Sequence, residues 1–212
     1  MLPQLTDKTA EIPKIAEMAC GNLSVLSEII DGLKLKVNTK SPEETVRYNC
    51  YKVLMHITDT NGSLLYPRWQ TFVEMLNSDN SYHKMAGVQL IAGLAKSDAN
   101  NQFLKIADRY FGLLDDPSVI VAIYVASTAG KIVNAKPSME PQITNKLLGI
   151  PQTHHTASRK ALIAAGAIES FGQYVNSVSD RGPILQFVRA QEESDSPKTR
   201  KLAKAFLKKW AA

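Results

Sequence analysis

The chain has 212 residues, 44% of them apolar and 21% charged, with a net charge of +5. Such a composition is ordinary for a soluble protein and leaves ample material for burial. It offers no apolar run near the roughly 20 residues of a bilayer span, and its first residues lack the basic start and apolar block of a secretory signal. Two cysteines, Cys20 and Cys50, give no disulfide framework, so a reducing, cytoplasmic compartment is expected. The positive excess is local. Lys198, Arg200, Lys201, Lys204, Lys208 and Lys209 stand against Asp195 alone in residues 194–212, and residues 1–193 carry 19 basic and 19 acidic groups. A basic field over the whole surface, of the kind that gathers nucleic acid, is therefore not expected.

Apolar residues spaced p, p+3, p+4, p+7 mark one face of a helix. The first such set is Ile12/Ile15/Ala16/Ala19, helix A1, followed by Leu26/Ile29/Ile30/Leu33, helix B1. Cys50/Val53/Leu54/Ile57 gives A2 and Trp69/Phe72/Val73/Leu76 gives B2. Gly87/Leu90/Ile91/Leu94 and Ala107/Tyr110/Phe111/Leu114 give A3 and B3. Val125/Thr128/Ala129/Ile132 gives A4, with a weaker B4 at Thr144/Leu147/Leu148. Ala161/Ala164/Ala165/Ile168 gives A5, with B5 at Ile184/Phe187/Val188, and Ala203/Phe206/Leu207/Trp210 closes the series. The A pattern returns roughly every 36 to 42 residues, which is the signature of stacked two-helix repeats.

Turn residues fall between these sets. Ser41-Pro42-Glu43-Glu44 supplies a cap, a first-position proline and first-turn acids for A2. Asn61-Gly62-Ser63 and Tyr66-Pro67 are expected to separate A2 from B2, and Asp98-Ala99-Asn100-Asn101 to separate A3 from B3. Asp115-Asp116-Pro117-Ser118, Lys136-Pro137-Ser138, Gly149-Ile150-Pro151, Asp180-Arg181-Gly182-Pro183 and Ser194-Asp195-Ser196-Pro197 punctuate the rest. Pro13 and Pro141 lie near helix starts, where the missing N–H costs least. No alternating apolar/polar run suggests a strand. The predicted fold is all-α: one domain over 1–212, with units near 1–40, 41–78, 79–116, 117–152 and 153–193 and a capping helix at 194–212.

The period, the two-helix unit and the start of each A helix together resemble HEAT repeats of the armadillo-like α-solenoids. That start carries a turn acid, then an apolar residue followed by a basic one. Val46-Arg47, Asp79 with His83-Lys84, Arg159-Lys160 and Arg200-Lys201 follow the pattern, whereas Asp115-Asp116 with Val119 lacks the base. The resemblance implies a right-handed superhelix, a ladder of turn acids and helix-start bases, and B helices lining a concave face. Proteins of this kind serve mainly as protein-binding scaffolds.

On the implied B-helix face, the p+1 positions are Gln70, Asp108 and Asn145, and the p+2 positions are Thr71, Arg109, Lys146 and Gln186. This mixed polar set suits a peptide or protein segment better than a nucleic acid, which favours a denser basic track. Gln70, Arg109, Asn145 and Lys146 are the first expected contacts, against the plain alternative of a solvated face. The terminal helix puts Leu202, Ala203, Phe206, Leu207 and Trp210 on one arc and its cations on the other. It reads as a cap, or as an element that docks on nucleic acid or acidic lipid.

Catalytic chemistry is not expected. Cys20 and Cys50 occupy apolar helix positions and read as structural thiols. Trp69, Tyr110 and Phe111 lie on apolar stripes, which argues for core and against the base-stacking pocket of HEAT-like DNA glycosylases. There is no His-Glu dipeptide of the kind HEAT-like iron hydroxylases repeat, no phosphate loop and no Ser-His-Asp arrangement. His56 reads as a partly buried packing residue. His154 and His155 belong to the loop before A5; as neighbours they would diverge by about 100° on a helix and chelate poorly, so no metal or cofactor is predicted. The sequence thus predicts a non-enzymatic protein-interaction scaffold. A nucleic-acid-binding, repair-like protein acting through the basic terminal helix is the alternative, and a fragment of a larger helical-repeat protein is a third reading.

Overall fold

A computed structural model of the chain describes residues 3–35, 41 and 43–211. Pro42, expected at the first position of A2, and Met1 and Leu2 lie outside the described residues. All regular structure among the described residues is helical. The chain forms two compact units, Met1–Ser97 and Asp98–Ala212. Their boundary falls inside the third predicted repeat, between its A and B helices.

The first unit holds α1 (Ile12–Gly21), α2 (Leu23–Leu33), α3 (Glu43–Leu65), α4 (Trp69–Met75) and α5 (Ser81–Leu94). Helix α3 packs against α1, α2 and α5, and α4 packs against α5. The stripes read from the sequence point inward. Cys50, Val53, Leu54 and Ile57 are buried, as are Leu26, Ile29, Ile30 and Leu33 and all of Met85–Leu94. Helix α2 starts where the Asn22 side chain accepts from the Ser24 N–H at 2.9 Å, and α5 where Asn80 accepts from the Tyr82 N–H at 2.9 Å. The Asn49 amide, buried in α3, donates to the Leu5 and Asp7 carbonyls and fastens the N-terminal turn.

The expected break at Asn61-Gly62 takes another form. Helix α3 runs through to Leu65 with one non-helical residue, Asn61 at φ −148° and ψ 53°. Gly62 is pressed against Ser97, whose Oγ lies 2.7 Å from where a Cβ would stand. Close packing thus carries the helix past a turn signal and leaves a kink.

The second unit holds α6 (Gln102–Gly112), α7 (Val119–Ala135), α8 (Glu140–Leu148), α9 (Ala157–Tyr174), α10 (Gly182–Arg189) and α11 (Pro197–Trp210). Helix α7 lies along α9, α9 packs on α11, α10 packs on α8 and α11, and α8 also touches α7 and α9. Small residues permit the close α7–α9 approach. A Cβ added at Gly166 would stand 3.0 Å from the Ile123 carbonyl oxygen, and one at Gly130 would stand 2.9 Å from that of Ser170. The Ser170 hydroxyl donates to the Ala126 carbonyl at 2.6 Å and accepts the Gly130 N–H at 3.0 Å. Those are the two groups an uninterrupted turn of α7 would join to each other. Phe103, Tyr110 and Phe111 form an edge-to-face cluster with centroids 5.2–6.3 Å apart, and Tyr110 shares a 2.8 Å hydrogen bond with Thr128.

Three bases at these helix starts, His83, Lys160 and Arg200, bond groups other than an acid, and Arg47 pairs within its own first turn. Arg47, fully buried, pairs with Glu44 on its own helix and lies 4.7 Å from the centre of the Tyr82 ring. His83 engages Ser78 and the Leu35 carbonyl, Lys160 donates to the Pro151 carbonyl, and Arg200 donates to that of Ser194. Lysines at helix ends instead bridge segments 37 and 38 residues apart. Lys96 donates to the Asp59 carbonyl at 3.1 Å, 37 residues back. Lys136 donates to the Asp98 carbonyl at 3.2 Å, 38 residues back, and pairs with the Asp98 carboxylate at 3.0 Å. That carboxylate also accepts the Gln102 and Phe103 N–H groups and so starts α6. Its side chain is wholly buried.

Candidate functional site

The predicted contact residues divide between the units. Gln70 is exposed on α4 of the first unit, where its amide donates to Glu74 at 3.3 Å. Arg109 on α6 and Asn145 and Lys146 on α8 are exposed in the second unit. Lys146 pairs with Asp108 at 3.1 Å, with side chains 41% and 82% exposed. This pair joins the p+1 position on α6 to the p+2 position on α8. Exposed pairs of this type add little stability, so they leave charge available at modest cost. Of the remaining p+1 and p+2 positions, Gln186 on α10 is exposed, whereas Thr71 is half-buried.

Helix α11 buries Ala203 and Phe206, half-buries Leu202, Leu207 and Trp210, and packs on α9 and α10. The Thr199 hydroxyl donates to the Ala161 carbonyl of α9 at 2.8 Å. On its outer arc Lys201, Lys204, Lys208 and Lys209 are exposed, Lys198 pairs with Glu169 at 3.0 Å, and Arg200 is half-buried against Ser194. Lys209 rests 4.4 Å from the centre of the Trp210 ring.

Trp69, Tyr110 and Phe111 are each 2% exposed or less, which places them in the core. Cys50 is buried, and that burial pushes its thiol up to about 12; Cys20 is only half-buried. His56 is half-buried.

The histidine pair lies in the loop before α9, as its sequence reading places it, but its rings stack on each other. The segment between Ile150–Gln152 and α9 is a non-helical turn, and there the two rings stack, with centroids 4.4 Å apart and planes inclined by 34°. Asp115, at the end of the turn after α6, meets them from one repeat earlier. Its carboxylate accepts the His154 N–H at 2.7 Å and lies 2.6 Å from His154 Nδ1. The His154 N–H chiefly holds the Asp115 carboxyl below its ordinary value. The three side chains bring one ligand atom each within 4.8 Å of one another. The signal was present as the 39-residue spacing of Asp115 and His154, a repeat-to-repeat correspondence of loops that neighbour geometry alone does not reveal.

Compared with protein-family models, curated proteins and solved structures, the chain matches none. Among the described residues no helix is long and apolar enough to cross a membrane.

Proposed function

We propose that this is a HEAT-like α-solenoid scaffold, a right-handed superhelix whose non-enzymatic work is to dock a protein or peptide segment on its B-helix face. The observation that carries this reading is the Lys146–Asp108 pair, an exposed contact between the p+1 position of α6 and the p+2 position of α8. Arg109, Asn145 and Lys146 make the contacts in the second unit, and Gln70 is the candidate contact of the first unit taken by itself. A face mixing cations, an acid and amides selects an extended polar segment by charge complementarity and register. The same packing of A helix on A helix, α1–α3–α5 and α7–α9–α11, supports the repeat architecture in each unit.

The second reading, nucleic-acid binding, rests on the exposed lysines of α11. Gel-shift titration across a salt series separates the two. A scaffold shows little binding at physiological salt, whereas phosphate recognition gives tight binding with a steep salt slope. Replacing Arg109 and Lys146 by glutamate reverses charge on exposed side chains, so it weakens partner capture and leaves the fold intact.

A further inference from the structure

The docking face leaves the Asp115–His154–His155 cluster without a role, and the cluster has a property ordinary loop contacts lack. His155 is 3% exposed, and neither of its ring nitrogens makes a hydrogen bond. A buried polar group left in that state costs free energy unless something else satisfies it. Its stacked neighbour His154 and the carboxylate of Asp115 supply two further donor atoms at the same spot.

We propose that Asp115, His154 and His155 bind a divalent transition-metal ion, with Zn2+ the best-fitting ion. Two imidazoles and one carboxylate are a donor set that suits zinc, whereas calcium and magnesium require mostly oxygen ligands. Zinc bonds of roughly 2.0–2.2 Å in a tetrahedron place ligand atoms about 3.3 Å apart. The three donor atoms lie within 4.8 Å, and the His154–Asp115 contact of 2.6 Å must open slightly once the metal replaces the proton between them. Rotation of two exposed side chains, His154 and Asp115, accommodates both changes. Three protein ligands leave the fourth position to water.

The electrostatics bear on the same point. Burial, and then the neighbouring His154, hold the His155 ring below the ordinary histidine value. Arg159, at the start of α9, acts on the ring in the same sense and opposes a bound cation. The bound ion ties the turn after α6 to the turn before α9, across one full repeat, so it is a structural clip for the second unit.

The test is Zn2+ titration of the full chain by calorimetry, with Co2+ as an optical probe of coordination. One ion per chain is expected, with tetrahedral Co2+ absorption displaced by Zn2+ and a rise in melting temperature on loading. Asp115→Asn and His154→Gln alter exposed side chains and keep the fold, and each weakens Zn2+ binding at least tenfold. His56→Gln leaves it unchanged, and Arg159→Ala strengthens it. Absence of binding, or equal affinity in the wild type, Asp115→Asn and His154→Gln, overturns the proposal. His155→Gln is the third ligand variant, scored only where circular dichroism shows native helix content.

Discussion

Lys136 ties the end of α7 to the turn that starts α6. Its ammonium meets the Asp98 carboxylate, the Asp98 carbonyl and the Asn101 amide oxygen in a site where Asp98 is wholly buried. Removing one member of a buried pair leaves the other charge stranded, at a cost of about 3–5 kcal/mol. Lys136→Met is therefore expected to lower unfolding free energy by that amount in a urea titration; a change below about 1 kcal/mol, the scale of an exposed pair, counts against this role. The thiols give a second residue-scale prediction. With its pKa pushed up to about 12 by burial, Cys50 holds almost no thiolate at pH 8. Alkylation at that pH should label half-buried Cys20 and spare Cys50 until the chain unfolds, as peptide mass spectrometry can show. These positions also mark how far sequence reasoning reached. Lys136-Pro137-Ser138 was legible as a helix boundary, but its partner lies 38 residues away and no local pattern announces it. Asp115 and the histidines escaped for the same reason: a side-chain cluster made by turns of successive repeats depends on the exact path of each turn.

At the scale of elements, the period of the apolar stripes was sufficient to place every helix, because burial in a helical stack follows the 3.6-residue repeat directly. Gly87/Leu90/Ile91/Leu94, Val125/Thr128/Ala129/Ile132 and Ala161/Ala164/Ala165/Ile168 are all buried. What periodicity could not show was how closely helices approach. Asn61-Gly62 carries a turn signature, yet packing against Ser97 keeps the segment within α3 as a kink. Two glycines in the second unit separate close approach from mere flexibility. Gly130→Ala forces a Cβ to 2.9 Å from the Ser170 carbonyl oxygen, and such overpacking costs about 1–3 kcal/mol. A Cβ added at Gly172, exposed in α9, would meet nothing within 4 Å beyond its own turn of helix. Gly172→Ala there gains helix propensity and adds about 0.5–1 kcal/mol. Thermal melts of the two variants should move in opposite directions, and movement in the same direction would refute the packing account of α7 and α9.

At the scale of the molecule, charge and surface decide what the chain is for. The cations that raise the net charge are gathered on α11, whose apolar arc packs on α9 and α10, so that helix performs a structural task whatever else its lysines do. The proposed docking face was read from the sequence as a list of positions, of which Asp108 and Lys146 meet in the second unit. Its occupant was not legible, because mixed polar residues define a kind of surface and not one ligand. The most direct test is a quantitative pull-down comparing the wild type, Arg109→Glu with Lys146→Glu, and Lys204→Glu with Lys208→Glu, each checked for native helix content. The account predicts a set of proteins captured by the wild type and the α11 variant and depleted at least tenfold by the α6–α8 variant. The same proteins retained by the α6–α8 variant and lost by the α11 variant would contradict it.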